Sequence, residues 1–103
     1  MNNKSKNISK LFEGKEIRSV WDKEKEDYYF SVVDVIAALT DSTNPKRYWT
    51  DLKRMTINEG SQLYEKIVQL KMKSSKDGKS YLTDTLDTKG IFRLIESVPS
   101  PQG

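Results

Sequence analysis

The hydrophobic and polar positions of the chain change period several times, and each change predicts a separate element. The first ten residues are polar and follow no period, which is typical of a disordered N-terminal arm. From residue 16 onward, the β-formers Ile17, Val20 and Trp21 and the aromatic run at residues 28–30 flank a charged stretch at residues 22–27. This pattern predicts a β-hairpin with an exposed turn.

A helical period follows at residues 31–40, where Val32, Val35, Ile36 and Leu39 recur on one side. Ser31 stands at the N-cap position of this helix, and Asp34, three residues on, is placed to reach back as in a capping box. The turn formers at residues 41–43 are expected to end the helix.

Asn44 as N-cap and Pro45 at the first helical position predict a second helix over residues 45–59. A helical wheel gives it an apolar face made of Tyr48, Leu52 and Met55, with Trp49 at the flank. The opposite face is basic and polar and contains Lys46, Arg47, Thr50, Lys53 and Arg54.

A short helical turn at residues 61–66 is followed by strand-like residues 67–73 and 80–83, which flank a turn containing Asp77 and Gly78 and predict a second hairpin. Asp87 or Thr88 then caps a last helix at residues 89–97, with Phe92 beside its apolar stripe. The predicted fold is α+β, a single small domain of two β-hairpins and about three helices in the order β-β-α-α-β-β-α. Most of the aromatic side chains are expected in its core, with Tyr48 or Trp49 as the exception.

The residue inventory argues against an enzyme. The 103 residues contain no cysteine and no histidine, so thiol and imidazole nucleophiles, bases and metal ligands are all missing. The scattered carboxylates have no metal-site spacing and no Gly-rich phosphate loop is present, so no cofactor and no metal are expected. Without a signal peptide or a membrane-spanning run, the expected location is the cytoplasm, with no membrane partner.

The distribution of charge indicates where a polyanion would bind. Residues 44–79 carry nine basic and four acidic groups, a net charge of +5, whereas the segments on either side each carry −1. This excess predicts a DNA-binding surface formed by the second helix and the second hairpin. The candidate phosphate contacts are Lys46, Arg47, Lys53, Arg54, Lys71, Lys73, Lys76 and Lys79, and Thr50 and Asn58 are candidates for reading bases.

Each half of this surface also has a purely structural interpretation. Arg47, Asp51 and Arg54 have the spacing of solubilising pairs on an exposed helix. Lysines on a hairpin protect an exposed sheet edge from aggregation. Charge alone therefore leaves DNA binding and a solvated basic surface both open.

Three segments together resemble the N-terminal domain of the BRO family of prophage and viral antirepressors. They are the run from Tyr29 to Val35 with Ala38-Leu39, then Asn44-Pro45-Lys46, and finally the Gly-led helix from Gly90 to Ile95. The resemblance covers about residues 16–102 and identifies residues 11–103 as the domain. It implies a module that binds double-stranded DNA in a bacterial or phage-infected host cell, at the surface around residues 46–54 and the lysine-bearing hairpin.

The resemblance also leaves two other expectations. Such domains normally continue into a further helix, so the chain is expected to be truncated at its C-terminus. Loss of that helix would expose Phe92, Ile95 and Val98, which could then form a homodimer. The alternative function is a protein-interaction module that binds a repressor or another regulator without DNA contact.

Overall fold

The first hairpin forms because β-branched and aromatic residues flank a run of turn-forming charges.

The computed structural model describes residues 16–40, 42–58, 60, 62–74 and 76–98, so the predicted N-terminal arm and the chain beyond residue 98 lie outside the described residues. The elements, in chain order, are β1 (Ser19–Asp22), β2 (Asp27–Ser31), α1 (Val32–Leu39), α2 (Pro45–Asn58), a 3-10 turn (Tyr64–Lys66), β3 (Val68–Lys73), β4 (Ser80–Asp87) and α3 (Thr88–Ser97). This confirms the α+β class and the predicted element order.

The two hairpins join into one antiparallel sheet with strand order β1-β2-β4-β3. The joint is the pairing of β2 with β4, in which Phe30 lies opposite Leu86 and Ser31 opposite Thr85. Directly paired residues share a face of the sheet, so Phe30 and Leu86 project to the same side. Both belong to a buried cluster that includes residues of all three helices. The helices therefore cover the sheet face that Phe30 and Leu86 occupy.

Helix α1 begins as its local sequence predicts, because Ser31 Oγ accepts a hydrogen bond from the Asp34 backbone N–H at 3.3 Å. The prediction that the Asp34 carboxylate accepts a hydrogen bond from the Ser31 backbone N–H is wrong. The Ser31 backbone N–H donates instead to the Arg18 carbonyl at 3.0 Å, and the Asp34 carboxylate binds Arg18. Strand pairing thus satisfies the donor that a capping box would have used.

The buried face of α2 differs from the apolar face that the helical wheel predicts. Asn44 caps the helix as expected, since its Oδ1 accepts from the Arg47 backbone N–H at 3.2 Å. The buried face, however, consists of Trp49, Leu52 and Thr56. Met55, expected in the core, is 55% exposed, whereas Trp49, one of the two residues offered as the exposed exception, is only 3% exposed. Tyr48 packs at the edge of the core.

Helix α3 is capped by Asp87, whose Oδ1 accepts from the Gly90 backbone N–H at 2.8 Å. Gly90 is buried against β4, and a Cβ added there would lie 3.0 Å from Leu86 Cβ and Cδ2, which explains a glycine in the first turn. The predicted exposure of the last apolar residues is wrong. Val98 is buried and Phe92 and Ile95 pack against the core, so this feature no longer supports a homodimer.

The first hairpin departs from prediction at one aromatic residue. Trp21 is 47% exposed and contacts the Tyr28 ring edge-on, at a centroid distance of 4.8 Å.

Within the described residues, no helix is long and apolar enough to cross a bilayer.

Candidate nucleic-acid interface

The second hairpin extends beyond the rest of the sheet. Pairing of β2 with β4 ends at Ser31 opposite Thr85, whereas β3 and β4 stay paired as far as Lys73 opposite Ser80. We name residues 69–74 and 76–84 the basic hairpin. At about 3.3 Å per residue, the five residues of β4 from 80 to 84 extend this ribbon by about 16 Å.

The turn of the basic hairpin is held by backbone hydrogen bonds. The Ser74 N–H donates to the Lys79 carbonyl at 2.8 Å, and the Gly78 N–H donates to the Ser74 carbonyl at 2.9 Å. Gly78 has a φ of 73°, a left-handed conformation that glycine adopts without a Cβ clash. The lysines at the tip are therefore presented from a folded turn.

The tip of the basic hairpin lies near the start of α2. Asp77 accepts a hydrogen bond from the Tyr81 hydroxyl and another, at 2.9 Å, from the Lys79 backbone N–H. These bonds lower the pKa of Asp77, and the nearby charge of Lys46 lowers it further. Lys46 in the first turn of α2 and the tip lysines thus belong to one surface.

The base of the basic hairpin is fastened to α2 through Asp84. Its Oδ2 accepts from Trp49 Nε1 and from Lys53 Nζ, both at 2.8 Å, and its Oδ1 accepts from Gln69 Nε2 at 3.0 Å. Burial raises the pKa of Asp84, but the three hydrogen bonds outweigh burial and hold the pKa below its ordinary value. Asp84 is consequently a charged anchor between the helix and the sheet.

Arg18 fastens the other side of the basic hairpin. Its guanidinium donates to both carboxylate oxygens of Asp34, at 2.8 and 3.1 Å, and to the Lys73 carbonyl at 3.1 Å. Hydrogen bonding to Asp34 raises the pKa of Arg18, so its guanidinium stays charged. One side chain thus ties β1, the first turn of α1 and the end of β3 together.

The predicted binding residues divide into two groups in the structure. Most are exposed and belong to neither ion pair found among the described residues: Lys46, Arg47, Thr50, Arg54, Asn58, Lys71, Lys73, Lys76 and Lys79. Lys53 differs, because it is half-buried, pairs with Asp84 and lies 5.6 Å above the Trp49 ring. The Thr50 hydroxyl donates to the Lys46 carbonyl at 3.0 Å, which leaves its oxygen available as an acceptor.

Sequence reasoning missed three features of this surface. Asp84 and Arg18 were not recognised as anchors, because their partners lie 31 and 16 residues away in the chain. For Leu82 the sequence predicts only a strand position, yet the side chain is 63% exposed. The one sequence signal for an exposed Leu82 was its position in a strand whose hairpin partner, residues 67–73, contains Lys71 and Lys73.

The arrangement can hold a polyanion by charge and hydrogen bonding. Within the described part of the chain, no three His, Cys, Asp or Glu side chains are grouped so as to hold a metal ion. No protein-family model, curated protein or solved structure matches the chain. The resemblance to the BRO family therefore stays a prediction, and the support for a function lies in the side chains of this surface.

Proposed function

We propose that the chain is a DNA-binding domain of a prophage antirepressor-type transcription regulator, working in the cytoplasm of a bacterial or phage-infected cell. The observation that supports it most is the position of α2 beside the basic hairpin. Lys46 lies within electrostatic reach of Asp77 at the tip, and Trp49 and Lys53 bind Asp84 at the base. Two basic elements that are separate in the sequence thereby form a single surface.

The exposed cations of α2 would bind phosphates on one side of the duplex. Arg47 and Arg54 are exposed, and no carboxylate among the described residues forms an ion pair with either guanidinium. A solubilising pair with Asp51, the structural interpretation of this helix, does not form. Unpaired guanidinium groups are the stronger phosphate ligands because they do not first break an internal ion pair.

Lys53 has a positioning role in this proposal. Its ammonium group is 2.8 Å from Asp84, so it holds α2 against β4 and would reach a phosphate only by leaving that carboxylate. Lys71, Lys73, Lys76 and Lys79 supply the phosphate contacts of the basic hairpin, and Thr50 and Asn58 remain the candidates for base contacts.

Fluorescence anisotropy with a labelled duplex across a salt series tests the proposal. The logarithm of the affinity is expected to fall linearly with the logarithm of salt concentration, and Arg47→Ala with Arg54→Ala should make that slope shallower by about 1.8, because two phosphate contacts are lost. The matched control is Lys89→Ala with Arg93→Ala, which removes two exposed charges from α3. This control should keep the wild-type slope.

Two outcomes would defeat the proposal. One is an absence of duplex binding even at low salt. The other is equal loss in the two double variants, since that would mean that net charge alone attracts the duplex. A co-purified protein partner that both double variants retain would favour the alternative, a module that captures a repressor.

A further inference from the structure

The most exposed large apolar side chain described lies in the middle of the basic hairpin. Leu82 is 63% exposed and pairs directly with Lys71 on β3. Two positions nearer the tip, Lys73 lies opposite Ser80. Alternation along a strand places residues 80 and 82 on one face, together with residues 71 and 73 on the neighbouring strand. Leu82 is thus an apolar site on a lysine-bearing face.

That face is the one that α2 meets at Asp84, but farther along the ribbon Leu82 and the two lysines are exposed. The residue between the two lysines, Met72, projects to the opposite face and is buried. Its cross-strand partner Tyr81 is turned to Asp77 through a hydrogen bond from its hydroxyl. Because α2 binds this face at Asp84 and leaves Leu82 exposed, the lysines and Leu82 are left for an external partner.

The charge of the basic hairpin selects the kind of partner. Its four lysines face only one carboxylate without a cationic partner, Asp77, because Asp84 is paired with Lys53. A second copy would bring its own four lysines to the contact and be repelled, whereas a duplex brings phosphates. A two-stranded ribbon also fits the major groove of B-form DNA.

We propose that the basic hairpin enters the major groove and that Leu82 contacts the methyl groups of thymine there. Thymine is the one standard base that presents a methyl group in this groove, so an apolar contact at Leu82 would favour A·T pairs. Lys71 and Lys73 would bind phosphates or guanine edges on either side. The inference rests on the proposed DNA binding and adds a source of base preference.

Replacing thymine by uracil removes only the methyl group and tests the contact directly. The probes are a short alternating adenine–thymine duplex and the same duplex with deoxyuridine at each thymine position. The wild-type protein should bind the thymine duplex about 4-fold more tightly, the ratio expected for burying one methyl group. Leu82→Ala should bind both duplexes equally, and Leu82→Met, which keeps an apolar side chain, should retain a preference.

Control variants separate the contact from general binding. Lys71→Ala should weaken binding to both duplexes and keep the ratio between them. Met55→Ala, at an exposed apolar position on α2, should change neither. Circular dichroism checks that each variant is folded.

Each remaining outcome decides between the two proposals. Equal binding of both duplexes by the wild-type protein overturns the Leu82 contact while leaving DNA binding in place. A preference that persists in Leu82→Ala also overturns it, because the protein would then be sensing duplex shape. Failure to bind either duplex at low salt defeats the proposed function, and the Leu82 contact with it.

Discussion

Replacing Asp84 by Asn is expected to destabilise the protein and strengthen its binding to DNA at the same time. The substitution keeps the shape of the side chain but removes the charge that Lys53 and Trp49 bind. The asparagine oxygen can accept only some of the hydrogen bonds that the Asp84 carboxylate accepts, and the asparagine NH2 group would face other donors. The anchor between α2 and β4 would be weakened while Lys53 is released.

The cost in stability follows from the geometry of the anchor. The Asp84 side chain is 11% exposed, and its partners donate at 2.8, 2.8 and 3.0 Å. Hydrogen bonds to a charged group contribute about 1.5–3 kcal/mol each in buried sites. Lys53 and Gln69 can turn to solvent, whereas the buried Trp49 N–H cannot. We therefore expect the free energy of unfolding to fall by about 2–3 kcal/mol.

The gain in affinity follows from the released lysine. If Lys53 then binds one phosphate, the salt slope steepens by about 0.9, which corresponds to roughly 8-fold tighter binding at about 0.1 M salt. Urea unfolding followed by circular dichroism measures the first effect, and anisotropy across a salt series measures the second.

The matched control is Asp77→Asn, which removes one exposed negative charge from the same surface. It should raise affinity slightly without steepening the salt slope and should leave the urea midpoint unchanged. Wild-type stability in Asp84→Asn would refute the anchor. Lost stability with an unchanged salt slope would refute the release of Lys53 to a phosphate.

Three further predictions concern the anchors and the packing of α3. Because the pKa of Asp84 is lowered, its contribution to stability is complete above the ordinary pKa of 3.8 and is lost as the pH falls below that value. The urea midpoint of the wild type should therefore drop below about pH 4, and that of Asp84→Asn should drop less. Arg18→Ala should lower the free energy of unfolding by about 2 kcal/mol through loss of its contacts with Asp34, and unchanged urea unfolding would contradict this. Gly90→Ala should lower the melting temperature, with a net cost of about 1 kcal/mol, because the new Cβ would meet the buried Leu86 Cβ at 3.0 Å; a higher melting temperature would show that β4 can give way.

Local features of the chain could be predicted because their causes lie within a few residues. Ser31, Asn44 and Asp87 cap their helices as expected, since a cap needs only a side-chain oxygen two or three residues before a free N–H. The turn at Gly78 follows in the same way from a residue that tolerates positive φ. The charge excess of residues 44–79 likewise needs no structure, since counting is enough.

The candidate site was only half predictable. The exposed positions of Arg47 and Arg54 follow from the helical period, whereas the pairing of Lys53 with Asp84 does not. A helical wheel gives the angle between two side chains, but it does not say which side of the helix packs against the sheet. Rotation of α2 buries Thr56 and exposes Met55, against the order of their hydrophobicity, and places the Trp49 indole on Asp84.

By itself, the sequence determined the elements, their caps, the basic middle of the chain and the absence of thiol and imidazole chemistry. Only the tertiary structure decided that β2 pairs with β4, that α2 lies along the basic hairpin, and that Leu82 stays exposed beside lysines. The reason is physical. Caps and turns satisfy backbone groups locally, whereas a strand partner, a helix rotation or an ion pair 31 residues apart depends on how all the elements share one core.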